Sequence, residues 1–104
     1  MTTVQLTQSA IARAVEVSRE LEALFPLANV AGGTAAEDRL TELQALLEAL
    51  PPGTDPSLLC FLRTWTASCR ELQLAGEALS GRYQMRQVRL ALLRLQREAQ
   101  VPAS

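Results

Sequence analysis

The sequence predicts an all-α protein, a single helical domain over residues 1–104 folded as an antiparallel bundle of three to four helices. Two observations carry this. Apolar residues recur at steps of three and four in four separate segments, the spacing that holds one stripe of a helix against a partner. Between the segments stand the residues that interrupt helices, at Pro26, Gly32, Gly33, Pro51, Pro52, Gly53 and Gly81.

The first stripe reads Ala10, Ala14, Val17, Leu21 and Leu24 and predicts a helix from about Thr7 to Leu24, stopped by Pro26. The loop from Pro26 to Gly33 holds Leu27 and Val30, with Phe25 just before it, although loops normally face water. Gly32 and Gly33 free the backbone to turn, and Thr34 with Glu37 three residues on is a capping-box pattern that opens the second helix. That helix carries Ala36, Leu40, Leu43, Leu47 and Leu50, and ends at Leu50 because Pro51, Pro52 and Gly53 cannot continue it.

Asp55 followed by Pro56 reads as an N-cap with proline at the first helical position. The third helix is expected to run from there to about Ser80, the longest of the four, along Leu58, Leu62, Trp65, Cys69, Leu72, Gly76 and Leu79. Gly81 is placed to end it in a left-handed conformation. The fourth then begins near Arg82 with the stripe Met85, Val88, Leu92, Leu95 and Ala99. The alternative is one bent helix from Pro56 to Gln100, since an isolated glycine costs only about 1 kcal/mol in a helix interior; such a helix would need a second copy to complete a bundle. The expected core is Val17, Leu21, Leu40, Leu43, Leu47, Leu62, Trp65, Cys69, Leu72, Val88, Leu92 and Leu95.

Hydrophobic residues make up 48% of the chain, and 19 residues are leucine, more than four stripes consume. The surplus points to a homodimer or a protein partner. No run approaches the roughly 20 apolar residues of a membrane span, and Met1–Ala10 lacks the basic start and hydrophobic run of a signal peptide. A cytoplasmic location and no membrane contact are expected. The net charge is −1, yet residues 1–57 hold three arginines against eight acids and residues 58–104 seven against three. The halves attract, which steers helix pairing or dimer register or leaves an arginine-rich end for an acidic partner.

The chain has no histidine and no lysine. A serine, threonine or cysteine nucleophile would lack its usual base, and lysine-dependent phosphate loops and Schiff bases are impossible. Glu37, Asp38 and Glu42 suit the start of a helix through its dipole. Ala31, Gly32, Gly33 and Thr34 lack the strand and lysine of a phosphate loop and read as a cap. Cys60 and Cys69 fall on opposite helix faces about 13 Å apart along the axis, too far to pair. Cys69 lies in the core stripe beside Trp65 and Leu72, whereas Cys60 points away from it. Two cysteines without histidine fall short of a zinc site. Neither catalysis, metal nor cofactor is expected.

Arg82, Arg86, Arg89 and Arg97 fall on the side of the fourth helix away from Val88, Leu92 and Leu95, and Leu90 and Leu93 project with them. Mixed leucine and arginine suits a protein contact or a second core layer in a homodimer. Direct nucleic-acid binding is disfavoured by a sequence pI near 5.4. The candidate partner-binding residues are therefore Phe25, Leu27 and Val30 at the first loop, where a lid over the bundle end is the alternative, with Arg86, Leu90, Leu93 and Arg97 on the fourth helix. Leu59 and Leu74 are weaker outliers.

In length, helix content, lack of catalytic residues and a composition suited to a GC-rich genome, the whole chain resembles the small acidic helical antiactivators of pseudomonads. That resemblance implies a protein that binds the ligand-binding or dimerisation region of a LuxR-type quorum-sensing activator and keeps it off DNA. The alternatives are a chaperone or assembly factor of a type III secretion system and a small DNA-binding repressor.

Overall fold

The four apolar stripes become four helices, α1 (Thr3–Ala28), α2 (Thr34–Glu48), α3 (Pro56–Leu74) and α4 (Ala78–Gln100), with no strand among the described residues. The computed structural model describes residues 3–28, 34–50 and 53–100, and the side chains of residues 8–25, 35–50, 53–77 and 79–98. Gly32, Gly33, Pro51, Pro52 and the Thr34 side chain lie outside this set.

Helix α1 packs on α4 and α2, and α3 packs on the same two helices. Partners run in opposite order across the seams. Across α1–α4, Glu22 meets Arg86 and Arg89 while Phe25 lies beside Gly81. Across α1–α2, Arg13 meets Glu42 and Glu20 meets Arg39. Across α2–α3, Glu37 meets Arg70 and Glu48 meets Arg63. Each of these neighbours is therefore antiparallel. The molecule measures 48 × 26 × 18 Å.

The interior follows the stripes. Val17, Leu21, Leu40, Leu43, Leu47, Leu62, Cys69, Val88 and Leu92 are fully buried, joined by Met85 and Ala36. Trp65, Leu72 and Leu95 are half-buried, and the Trp65 ring lies 4.7 Å from that of Phe61. Helix α1 buries more than its expected stripe. A second row, Ile11, Val15, Ser18, Glu22 and Phe25, is also buried, because this helix faces two others and needs a broader contact surface. Ser18 satisfies its hydroxyl by donating to the Val15 carbonyl at 2.7 Å.

The start of α3 is as expected: the Asp55 carboxylate accepts from the Ser57 amide at 3.0 Å and Pro56 occupies the first turn. Other boundaries differ, and α2 ends at Glu48, two residues short of Leu50. Pro26 does not stop α1, which starts at Thr3 and continues to Ala28, making it the longest helix at 26 residues. A proline in a last turn removes only one backbone hydrogen bond, and Phe25 immediately before it is anchored in the core.

Helix α3 ends at Leu74 instead of Ser80, and the terminator is Gly76, not Gly81. Gly76 has φ +79. Its amide donates to the Gln73 carbonyl at 3.1 Å and the Glu77 amide to Leu72 at 2.8 Å, the paired bonds of a Schellman cap. Gly81 sits inside α4, where a β-carbon would lie 3.7 Å from Phe25, 3.8 Å from Leu72 and 3.9 Å from the Cys69 carbonyl. The stripe assigned to α3 thus stops at Leu72, and Leu79 belongs to α4.

These two glycines should respond oppositely to alanine. Gly76→Ala places a β-carbon in a left-handed conformation and should cost about 1–2 kcal/mol. Gly81→Ala meets only ordinary contacts and should stabilise by about 0.5–1 kcal/mol through helix propensity. Chemical denaturation of the two variants checks both signs.

Candidate functional site

Helix α4 carries two stripes, and they lie back to back. At about 100° per residue, Met85, Val88, Leu92 and Leu95 share the face turned to the core, while Leu79, Tyr83, Arg86, Leu90, Leu93 and Arg97 step by four and three along the opposite side. Exposure separates the two: Met85, Val88 and Leu92 are sealed, whereas Leu79 is 76% exposed, Tyr83 61% and Leu90 46%. Leu74, just before the Gly76 turn, is 78% exposed. The turn and the outer face of α4 together hold all four exposed large apolar side chains described in this chain.

Arginines surround this apolar line, and their engagement is uneven. Arg86 reaches Glu22 at 3.3 Å, and Arg89 pairs with the other oxygen of the same carboxylate. Glu22 is buried within α1, so the two guanidinium groups compensate its desolvation. Arg94 pairs with Glu98 one turn on at 3.2 Å. Arg82 and Arg97 are exposed and have no ion-pair partner among the described residues.

Of the sequence-derived contact residues, Leu90 and Arg97 are exposed on this face and Arg86 is half-exposed there. Leu93 is partly buried and packs against the core, because its position on the outer stripe leans toward a neighbouring helix. Arg89 likewise turns inward to Glu22. Phe25 is no contact residue: it is 1% exposed, being held in α1 by the helix that Pro26 was expected to end. The Leu27 side chain and Val30 lie outside the described residues. Leu59 packs against the core. Leu79 and Tyr83 belong to the same exposed face and are absent from the sequence-derived set, although their spacing from Arg86 and Leu90 was the available signal once α4 begins at Ala78.

A second charged cluster ties α1 to α2. Arg13 forks onto Glu42 with bonds of 2.6 and 3.1 Å, and Arg39 adds contacts to Glu42 at 3.2 Å and Glu20 at 2.7 Å. The hydrogen bonds from Arg13 hold the Glu42 carboxyl below its ordinary value of 4.5, with the charges of Arg13 and Arg39 adding to them against partial burial.

The cysteines occupy unlike surroundings. Cys69 is fully buried, with its thiol 3.6 Å from the Gly81 carbonyl, and burial pushes that thiol up to about 12. Cys60 is exposed.

An open cavity of about 510 Å³ lies between the start of α3 and the later turns of α4, lined by Thr54, Asp55, Ser57, Arg94, Leu95 and Glu98 among others. Its charged groups are engaged locally, Asp55 as the helix cap and Arg94 with Glu98. No group of three histidine, cysteine or acidic side chains is arranged to hold a metal among the described residues, and no helix there is long and apolar enough to cross a membrane. Comparison with protein families, curated proteins and solved structures finds no match for this chain.

Two measurements test the electrostatics and burial. A depressed carboxylate stabilises the fold above its unfolded value, and that contribution disappears as pH falls through the lower folded value. Glu42→Gln should therefore be less stable than the native chain at pH 7, and the gap should close as pH drops below about 4; denaturation midpoints across pH report it. Of the two thiols, Cys60 should react at once with an aromatic disulfide reagent at pH 8, whereas Cys69 should react only in denaturant.

Proposed function

We propose that the protein is a non-enzymatic regulator, an antiparallel four-helix bundle that works by gripping another protein along the outer face of α4. One observation carries this reading: Leu79, Tyr83 and Leu90 stand exposed at helical spacing among arginines, directly opposite the stripe that α4 gives to its own core. A folded chain that leaves such a line in water bears a continuing hydration cost of roughly 25 cal/mol per Å² of apolar surface. Leucine, tyrosine and arginine together are the composition of contact hot spots and their surroundings.

The client implied by the resemblance to helical antiactivators is a LuxR-type activator, held so that it cannot dimerise and bind DNA. The chaperone of a type III secretion system uses the same kind of surface for a different client. A DNA-binding repressor is less well supported, because Arg86 and Arg89 are engaged by Glu22 and the apolar line would lie against phosphates.

The test compares tagged native chain with Leu90→Asp in a pull-down from lysate of the native organism, followed by mass spectrometry. The native chain should recover a transcription activator; Leu90→Asp should lose it while keeping its helical circular dichroism. Recovery of secretion components would replace the antiactivator by the chaperone. Capture that survives both Leu90→Asp and Leu79→Asp would remove α4 as the contact face.

A further inference from the structure

The geometry points to one kind of occupant for this face: an acidic amphipathic helix of a second protein, with an apolar stripe bordered by carboxylates. This rests on the reading of α4 as the contact face and adds the chemistry of what it holds.

Charge balance is the first argument. Helix α4 contains five arginines and a single acid. Glu22 engages two of the arginines and Glu98 a third, which leaves Arg82 and Arg97 without a counter-charge among the described residues. At about 100° per residue, Arg82 borders the apolar line on one side, Arg94 borders it on the other, and Arg97 closes its far end. A partner that covers Leu79, Tyr83 and Leu90 brings its own flanks against those guanidinium groups. Carboxylates there gain charge-assisted and often bidentate hydrogen bonds, whereas lysine or arginine there would be repelled.

The same point disfavours a second copy. Placed parallel, two α4 helices set Arg86 against Arg86 near the seam. Placed antiparallel, they bring Arg82 toward Arg94 and Arg97. Either way the borders are like-charged, and the one acid of α4, Glu98, is engaged with Arg94.

Shape is the second argument. The face is a straight row of knobs with steps of four and three, the anchor spacing by which one helix receives another. From Leu79 to Arg97 it spans about 27 Å at the helical rise of about 1.5 Å per residue, enough for five turns of a partner. A nucleic acid would answer the arginines and leave Leu79, Tyr83 and Leu90 unanswered.

Fluorescence anisotropy with three labelled synthetic 18-residue peptides tests this. One has leucines at the same four-and-three spacing with flanking glutamates, one replaces those glutamates by lysines, and one keeps the acidic composition but scatters the leucines around the helix. The acidic amphipathic peptide should bind at least ten times more tightly than either other. The double variant Arg82→Glu with Arg97→Glu should reverse the preference toward the lysine peptide, and Leu90→Asp should abolish binding. Equal binding of the acidic and lysine peptides, with Leu90→Asp still abolishing both, would overturn the acidic helix and leave the contact face standing. Indifference to Leu90→Asp would overturn both. A dimer of the unbound chain in sedimentation equilibrium, lost in Leu90→Asp, would give the face to a second copy instead. Displacement of the acidic peptide by a duplex DNA with a steep salt dependence would give it to nucleic acid.

Discussion

Gly76 carries a backbone conformation that only glycine adopts freely, and the two hydrogen bonds around it turn α4 back along α3. The remaining packing depends on this reversal. If α3 and α4 ran on as one rod, Met85, Val88 and Leu92 would stand far from Leu62, and α1 would have no fourth helix to complete its broad buried face. The turn alone does not set how closely the hairpin closes. The packing of α4 on its neighbours does: Gly81 lies where an added β-carbon would sit at ordinary contact distance from Phe25, Leu72 and the Cys69 carbonyl.

Charge then reinforces the register in which the helices meet. Acids from the first half of the chain meet arginines from the second half across two seams, Glu22 with Arg86 and Arg89, and Glu37 and Glu48 with Arg70 and Arg63. Exposed pairs of this kind contribute little energy each, about 0–1 kcal/mol. Their value is in register, since a shifted pairing would take Glu22, Glu37 and Glu48 off their arginines. Glu22 differs from the others by being buried, so removing its arginines would strand a charge in the interior. One consequence is that the first half's acids are largely taken up within the fold, while Arg82 and Arg97 stay unmatched among the described residues on the outer side of α4.

Much of this was legible in the sequence. The apolar steps located all four helices and most of the core, and Asp55 with Pro56 marked the start of α3 because that cap needs only adjacent residues. What escaped was decided by contacts distant in sequence. A glycine serves either as a left-handed terminator or as an ordinary helical residue; choosing between Gly76 and Gly81 requires knowing that Phe25 and Leu72 pack beside the latter. Phe25 was misjudged because Pro26 suggested a helix end, although Ile11, Val15, Ser18, Glu22 and Phe25 form an unbroken row with steps of four and three. A serine and a glutamate in that row disguised it as surface. On α4 the reading found Arg86, Leu90 and Arg97 but began the helix too late to include Leu79 and Tyr83.

The back-to-back stripes of α4 also bear on how this protein can change over generations. Residues that build the interior and residues that face outward alternate along one helix on opposite sides, so substitutions at Leu79, Tyr83 or Leu90 can drift toward a new partner while Met85, Val88 and Leu92 stay under separate selection for folding. Leu93, leaning from the outer stripe into the core, is the position where the two lineages of change are coupled and where divergence should be slowest.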